Sequence, residues 1–145
     1  MALFKFTEAA LKGKEIEVFN NGEMERDFTY IDDIIEGVIA VINNPAKANL
    51  SWKPNSPNPE TSSAPYRIYN IGNNNPIQLM DFISTLEDEL NVKIKKKFLP
   101  IQQGDVKKTY ADIDDLEKAF GYRPRTTIKE GISEFVSWYR SFYEK

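Results

Sequence analysis

Arg26-Asp27-Phe28-Thr29-Tyr30-Ile31-Asp32-Asp33 runs from a short extended segment into the start of a helix, and this junction organises the chain around it. The spacing predicts extension over residues 27–30 and a helix from Ile31. In that helix Ile31, Ile34, Ile35, Val38, Ile39 and Ile42 build one broad apolar stripe. Asp32 and Asp33 fall in its first turn, where the helix dipole favours negative charge. An arginine beside a helix N-terminus suits a phosphate, because the guanidinium offers paired donors and the helix start offers free backbone N–H groups. Arg26 is therefore the first candidate binding residue.

Upstream, residues 2–11 read as a helix with Leu3, Phe6 and Ala10 on one face. Ile16, Val18 and Phe19 suggest a strand closed by a turn at Asn20-Asn21-Gly22. Downstream, residues 45–65 hold five of the eight prolines and read as an irregular insertion loop. Residues 67–71 suggest a buried strand ending at Gly72. Asn75 reads as a cap, with Pro76 in the first position of a helix whose core face is Leu79, Ile83, Leu86 and Leu90. A strand over 95–99 follows, and the basic cluster Lys93, Lys95, Lys96 and Lys97 reads as a solvated strand edge. Residues 112–120 suggest a helix stopped by Gly121. Thr127-Ile-Lys-Glu130 is a capping-box pattern that opens a last helix burying Ile128, Ile132, Phe135, Val136 and Tyr139. The expectation is a mixed α/β chain with one core.

Composition narrows the chemistry. The 145 residues include no cysteine and no histidine, which removes thiolate sites, disulfides and the commonest neutral-pH base and zinc ligand. A net charge of −3 with scattered lysines and arginines argues against broad nucleic-acid binding. No apolar run approaches the roughly 20 residues of a membrane span. The opening segment, its apolar stretch broken by Lys5 and Glu8, does not read as a signal peptide, so a cytoplasmic location is expected. Asp112-x-Asp114-Asp115 has Glu117 where a calcium loop needs glycine, and reads as helix capping; no metal site is expected.

Two further polar islands join the first: Tyr69-Asn70-Ile71-Gly72-Asn73-Asn74-Asn75-Pro76 and Gln102-Gln103-Gly104-Asp105-Val106, the latter a turn able to aim a carboxylate at a sugar hydroxyl. By pattern alone, all three read as ordinary turns and caps. Their wording and order, together with Tyr110-Ala111-Asp112, Phe120-Gly121-Tyr122-x-Pro124 and Phe135-Val136-x-Trp138-Tyr139, resemble the extended short-chain dehydrogenase/reductase family. The likeness is to the C-terminal part of its sugar-nucleotide epimerases and dehydratases, and nearest to the UDP-glucuronate 4-epimerase branch. The opening Met1-Ala-Leu-Phe-Lys-Phe-Thr7, the loop ending Thr61-Ser-Ser-Ala-Pro-Tyr-Arg-Ile-Tyr-Asn-Ile-Gly-Asn73, and Leu99-Pro100 followed by Gln102 carry that finer likeness.

The resemblance implies an α/β fold: the C-terminal substrate-binding domain plus the last strand and helix elements of a Rossmann half. It implies that residues 1–145 form one nucleotide-sugar-binding part, with the N-terminal NAD-binding Rossmann domain absent. A UDP-sugar is the implied ligand. Arg26 would contact its pyrophosphate, Val18 and Phe19 would run beside the uracil, and Gln102 and Asp105 would lie near the ribose. Gln103 departs from the proline usual there. The family's chemistry uses NAD to take a hydride from sugar C4 and return it to the other face, with a tyrosine base and a lysine four residues on. None of the seven tyrosines here has that lysine, and the seven glycines form no dinucleotide-binding loop. No catalytic or cofactor-binding residue is therefore expected in this chain, and neither tight NAD binding nor epimerisation by it alone. The missing Rossmann half and a homodimer of the full-length form are the implied partners. A stand-alone binding module and a fragment of a related dehydratase or decarboxylase are the competing readings.

Overall fold

A computed structural model describes residues 2–143; Met1, the first residue of the opening heptad, lies outside them. The elements are α1 (Ala2–Leu11), β1 (Glu15–Val18), β2 (Glu25–Asp27), α2 (Ile31–Asn43), β3 (Pro76–Gln78), α3 (Leu79–Leu90), β4 (Lys95–Phe98), α4 (Asp114–Phe120) and α5 (Ile128–Tyr143). They form two compact units, one of Met1–Phe28, Asn75–Tyr110 and Thr126–Lys145, the other of Thr29–Asn74 and Ala111–Arg125. The single expected core is thus two clusters, one per unit. The chain crosses from one unit to the other inside the Arg26–Asp33 junction, between Phe28 and Thr29.

In the first unit, α3 supplies Phe82, Ile83, Leu86 and Leu90 to a core completed by Ile16, Val18, Ile94, Ile132 and Val136. Phe82, Ile83 and Leu86 are at most 1% exposed, and burying each such side chain is worth roughly 1.5–3 kcal/mol. The helical spacing of these residues on α3 and α5 makes both helices present one face to the same cluster. β1 and β4 pair in parallel with Glu15 opposite Lys95 and Glu17 opposite Lys97, so the exposed positions carry opposite charges while Ile16 and Val18 point inward. The basic cluster is therefore not simply solvated: Lys96 reaches the buried Glu87 carboxylate at 2.5 Å.

Three local readings are corrected here. Phe19 leaves β1 and opens a 3-10 turn, because Asn20 and Asn21 adopt positive φ (49° and 51°), which ends the strand. The second extended segment lies at Glu25–Asp27, earlier than residues 27–30, and Tyr30 becomes the N-cap of α2. Pro76 starts strand β3, not a helix. It stands opposite Asp27 in an antiparallel pair, and Asn75 donates its backbone N–H to the Asp27 Oδ1 at 3.2 Å. Proline's fixed φ serves a helix start or the first residue of a strand equally, and the distant partner strand decides.

In the second unit, Ile113, Leu116 and Tyr122 form a small core with Val41, Tyr69, Ile71, Ala111 and Phe120 around it. The face that α2 buries is not its isoleucine stripe: Asp33 and Gly37 are its buried residues. A Cβ on Gly37 would lie 3.1 Å from the Tyr122 ring and 3.4 Å from Ile71 Cδ1, so any side chain here would require the Tyr122 ring to give by a few tenths of an ångström. The Asp33 Oδ1 accepts the Arg125 backbone N–H at 3.1 Å. The expected buried strand over residues 67–71 is not formed: these residues join no ladder among the described residues, apart from a single bridge at Thr61–Arg67, and none of them is buried. Arg67 instead ties the irregular loop to α4, bonding Asp115 at 2.6 Å and lying over the Tyr69 ring. Gly121 ends α4 with φ 68°.

Candidate functional site

All five sequence-predicted site residues, Val18, Phe19, Arg26, Gln102 and Asp105, belong to the first unit. A cavity of about 410 Å³ opens beside β2. Its apolar wall is Ala2 and Phe6 from α1, Phe19, Met24, Phe28, and Leu79 from the start of α3; Glu17, Arg26, Asp27 and Thr109 give it polar edges. Phe28 stacks on the buried Phe82 with ring centroids 4.5 Å apart, which fixes that wall against the core. The arrangement is a largely apolar cavity with one cation, Arg26, among its lining residues.

Arg26 is positioned by β2 and by the chain that runs alongside it. The Glu25 N–H donates to the Lys107 carbonyl at 2.8 Å, and the Thr109 N–H donates to the Glu25 carbonyl at 3.2 Å. The Asp27 N–H donates to the Thr109 hydroxyl at 3.1 Å. Lys108 pairs with Glu25 at 2.7 Å, so its charge is already committed. Arg26 Nη1 donates to the carbonyls of Glu25 and Lys107, and Nη2 meets the Asp105 Oδ1 at 2.8 Å. Two of the three predicted polar ligands, Arg26 and Asp105, 79 residues apart in sequence, are thus brought into direct contact. Their side chains are about a quarter and a third exposed, enough for the pair to meet an incoming anion.

The remaining three residues lie differently. Phe19 lines the cavity, whereas Val18 is fully buried in the core and can offer a ligand only backbone, its carbonyl already accepting the Leu99 N–H. Gln102 is exposed, and its carbonyl accepts the Asp105 N–H at 3.0 Å to close the turn over residues 102–105. Gln102 and Asp105 do not line the cavity wall. Sequence reasoning missed Thr109 and the aromatic pair Phe6 and Phe28. Thr109 has no local signature, because only the pairing of residues 107–109 with β2 brings it to the site.

Dinucleotide binding needs a glycine-rich turn between a strand and a helix start. Among the described residues, the junctions of β2 with α2 and of β3 with α3 contain no glycine. No helix among the described residues is long and apolar enough to cross a membrane.

Residues 1–72 match the model of the NAD dependent epimerase/dehydratase family. The whole chain aligns at 46% identity with Protein CapI of Staphylococcus aureus, and at 38% with a probable UDP-glucuronate 4-epimerase of Rhizobium meliloti. It spans 43% of the length of each. Among solved structures, UDP-glucuronic acid 4-epimerase from Bacillus cereus, in complex with UDP-glucuronic acid and NAD, superposes with a TM-score of 0.78 at 28% identity. That match covers 99% of this chain and 40% of the epimerase. The mixed α/β fold, the ordered motifs and these likenesses agree: the chain belongs to the NAD dependent epimerase/dehydratase family of extended short-chain dehydrogenases/reductases, matching about two-fifths of such a protein.

Proposed function

We propose that this chain is the C-terminal, nucleotide-sugar-binding part of a UDP-glucuronate 4-epimerase. That enzyme interconverts UDP-glucuronate and UDP-galacturonate through a 4-keto intermediate in the cytoplasm, for polysaccharide biosynthesis. The observation that carries the reading is Arg26, which lines the apolar cavity and is held there by three hydrogen bonds. Identity of 38% to the probable epimerase of Rhizobium meliloti supports the substrate class. Phe19 and the backbone of Val18 lie along the uracil, Arg26 takes the pyrophosphate, and Gln102 and Asp105 face the ribose. NAD, when bound, supplies hydride transfer at C4. Its site and the tyrosine–lysine pair belong to an N-terminal Rossmann half, which is this chain's partner, and the full-length enzyme is a homodimer. The present chain binds and orients the substrate and is inactive alone.

A charge-assisted hydrogen bond is worth about 1.5–3 kcal/mol, which corresponds to a tenfold or greater change in affinity. Calorimetric titration with UDP is expected to show a dissociation constant at least about tenfold higher for Arg26→Ala, with no heat from NAD in either protein. An unchanged UDP constant would remove Arg26 from the site.

A further inference from the structure

We propose that Asp105 is a built-in competitor for Arg26, a carboxylate that must hand the guanidinium over to the ligand's diphosphate. This inference rests on the nucleotide-diphosphate reading of the site and specifies how the site admits its ligand. The Asp105 Oδ1 sits 2.8 Å from Arg26 Nη2, where a phosphate oxygen would bind, and it also accepts the Val106 N–H at 2.8 Å. Arg26 Nη1 is held by the carbonyls of Glu25 and Lys107, so the guanidinium stays put when the carboxylate leaves. A phosphate and a carboxylate cannot both sit against one guanidinium that is only about a quarter exposed without like-charge repulsion.

The chain around Asp105 is arranged for such an exchange. Residues 107–109 are fastened to β2 by the two backbone hydrogen bonds that make up the parallel bridge at Glu25–Lys108. Asp105 itself lies just outside that fastened stretch, in an exposed turn closed by one hydrogen bond from its N–H to the Gln102 carbonyl. The Asp105 Oδ2 has no partner among the described residues and is available to a hydroxyl donor. The carboxylate thus has two alternative partners: the arginine in the free protein, and a ribose hydroxyl once the diphosphate holds Arg26. Anions too weak to displace it are refused, which makes Asp105 a specificity-determining residue of the site.

Asp105→Asn removes the competing charge while its amide oxygen still accepts the Val106 N–H and keeps the turn. The full chain, wild type and D105N, is titrated calorimetrically with inorganic pyrophosphate and with UDP. A part-exposed ion pair contributes up to about 1 kcal/mol, so pyrophosphate is expected to bind D105N about fivefold more tightly. The gain with UDP is expected to be smaller, because the ribose hydroxyl loses its carboxylate. Unchanged or weaker pyrophosphate binding by D105N overturns the exchange and makes Asp105 a group that orients Arg26. A pyrophosphate gain with no UDP binding by either protein leaves the exchange standing and overturns the uridine-diphosphate reading.

Discussion

At the scale of single residues, Glu87 shows how far a buried charge depends on its neighbours. It is 6% exposed on α3, and its carboxylate gathers the Ile94 backbone N–H at 2.8 Å and the ammonium of Lys96 at 2.5 Å. Burial by itself pushes the carboxyl upward. The hydrogen bonds from Lys96 and Ile94 and the charges of Lys96 and Lys93 outweigh it, and the net shift is below the ordinary 4.5. Breaking a buried pair by removing one partner typically costs about 3–5 kcal/mol; with Lys96 still partly solvated, Glu87→Ala is expected to cost about 3 kcal/mol. A carboxylate depressed in the folded state stabilises above its unfolded value, and that stability is lost as pH falls through the folded value. Urea denaturation should therefore show a wide gap between wild type and Glu87→Ala at neutral pH that narrows well below pH 4.5. A gap of equal width at both pH values would mean that packing, not the ion pair, sets the cost. None of this was legible in the sequence, where no motif singles out Glu87 and Lys96 reads as one of four lysines on a solvated strand edge. The same holds for Arg26 and Asp105: each was singled out by its own motif, and no local signal joins positions so far apart.

At the scale of elements, the capping of α5 was read correctly from local chemistry, whereas the role of Pro76, which a distant partner decides, was not. Thr127 and Glu130 cap α5 reciprocally. The Thr127 N–H and hydroxyl bond the Glu130 carboxylate at 2.8 and 2.7 Å, and the Glu130 N–H returns to the Thr127 hydroxyl at 3.2 Å. Those bonds, the hydroxyl's first, draw the Glu130 carboxyl below its usual range. Thr127→Ala is expected to lower stability by about 1 kcal/mol, seen as a lower urea midpoint with an unchanged slope. An unchanged midpoint would mean that packing of Ile132 and Val136 alone holds the helix start. The helices around Leu86, Ile132 and Leu116 were legible for the same reason, since a four-residue window contains the apolar period and the stop signals. Pro76 was misread because β2, which pairs with it, lies about fifty residues earlier. Residues 67–71 carry a strand's composition without a ladder here, and composition cannot say whether a partner strand is present.

At the scale of the whole molecule, the largest unanswered demand is the outer face of α2. Ile31, Ile35, Val38, Ile39 and Ile42 are 58%, 47%, 38%, 51% and 69% exposed, on a helix whose other side is already packed through Gly37. Scattered exposed aliphatics are ordinary, but five on one helix face form a contiguous patch of the kind that marks an interaction surface. Each forgoes roughly 1.5–3 kcal/mol that burial would return. Because the chain spans only 43% of the relatives it matches, the Rossmann half proposed above is the natural cover for this face. In its absence, mass action should bring copies together through the same residues. We expect the chain to sediment as concentration-dependent oligomers and to bind a hydrophobic dye. The double variant Ile35→Lys, Ile39→Lys should be monomeric, with its helical signal intact, because neither side chain belongs to either core. The same variant should fail to associate with a separately supplied Rossmann half, which distinguishes a docking face from mere stickiness. A wild-type chain that stays monomeric, melts cooperatively and leaves the dye dark would show that this helix face needs no partner, and the two-part reading of the enzyme would lose its structural support.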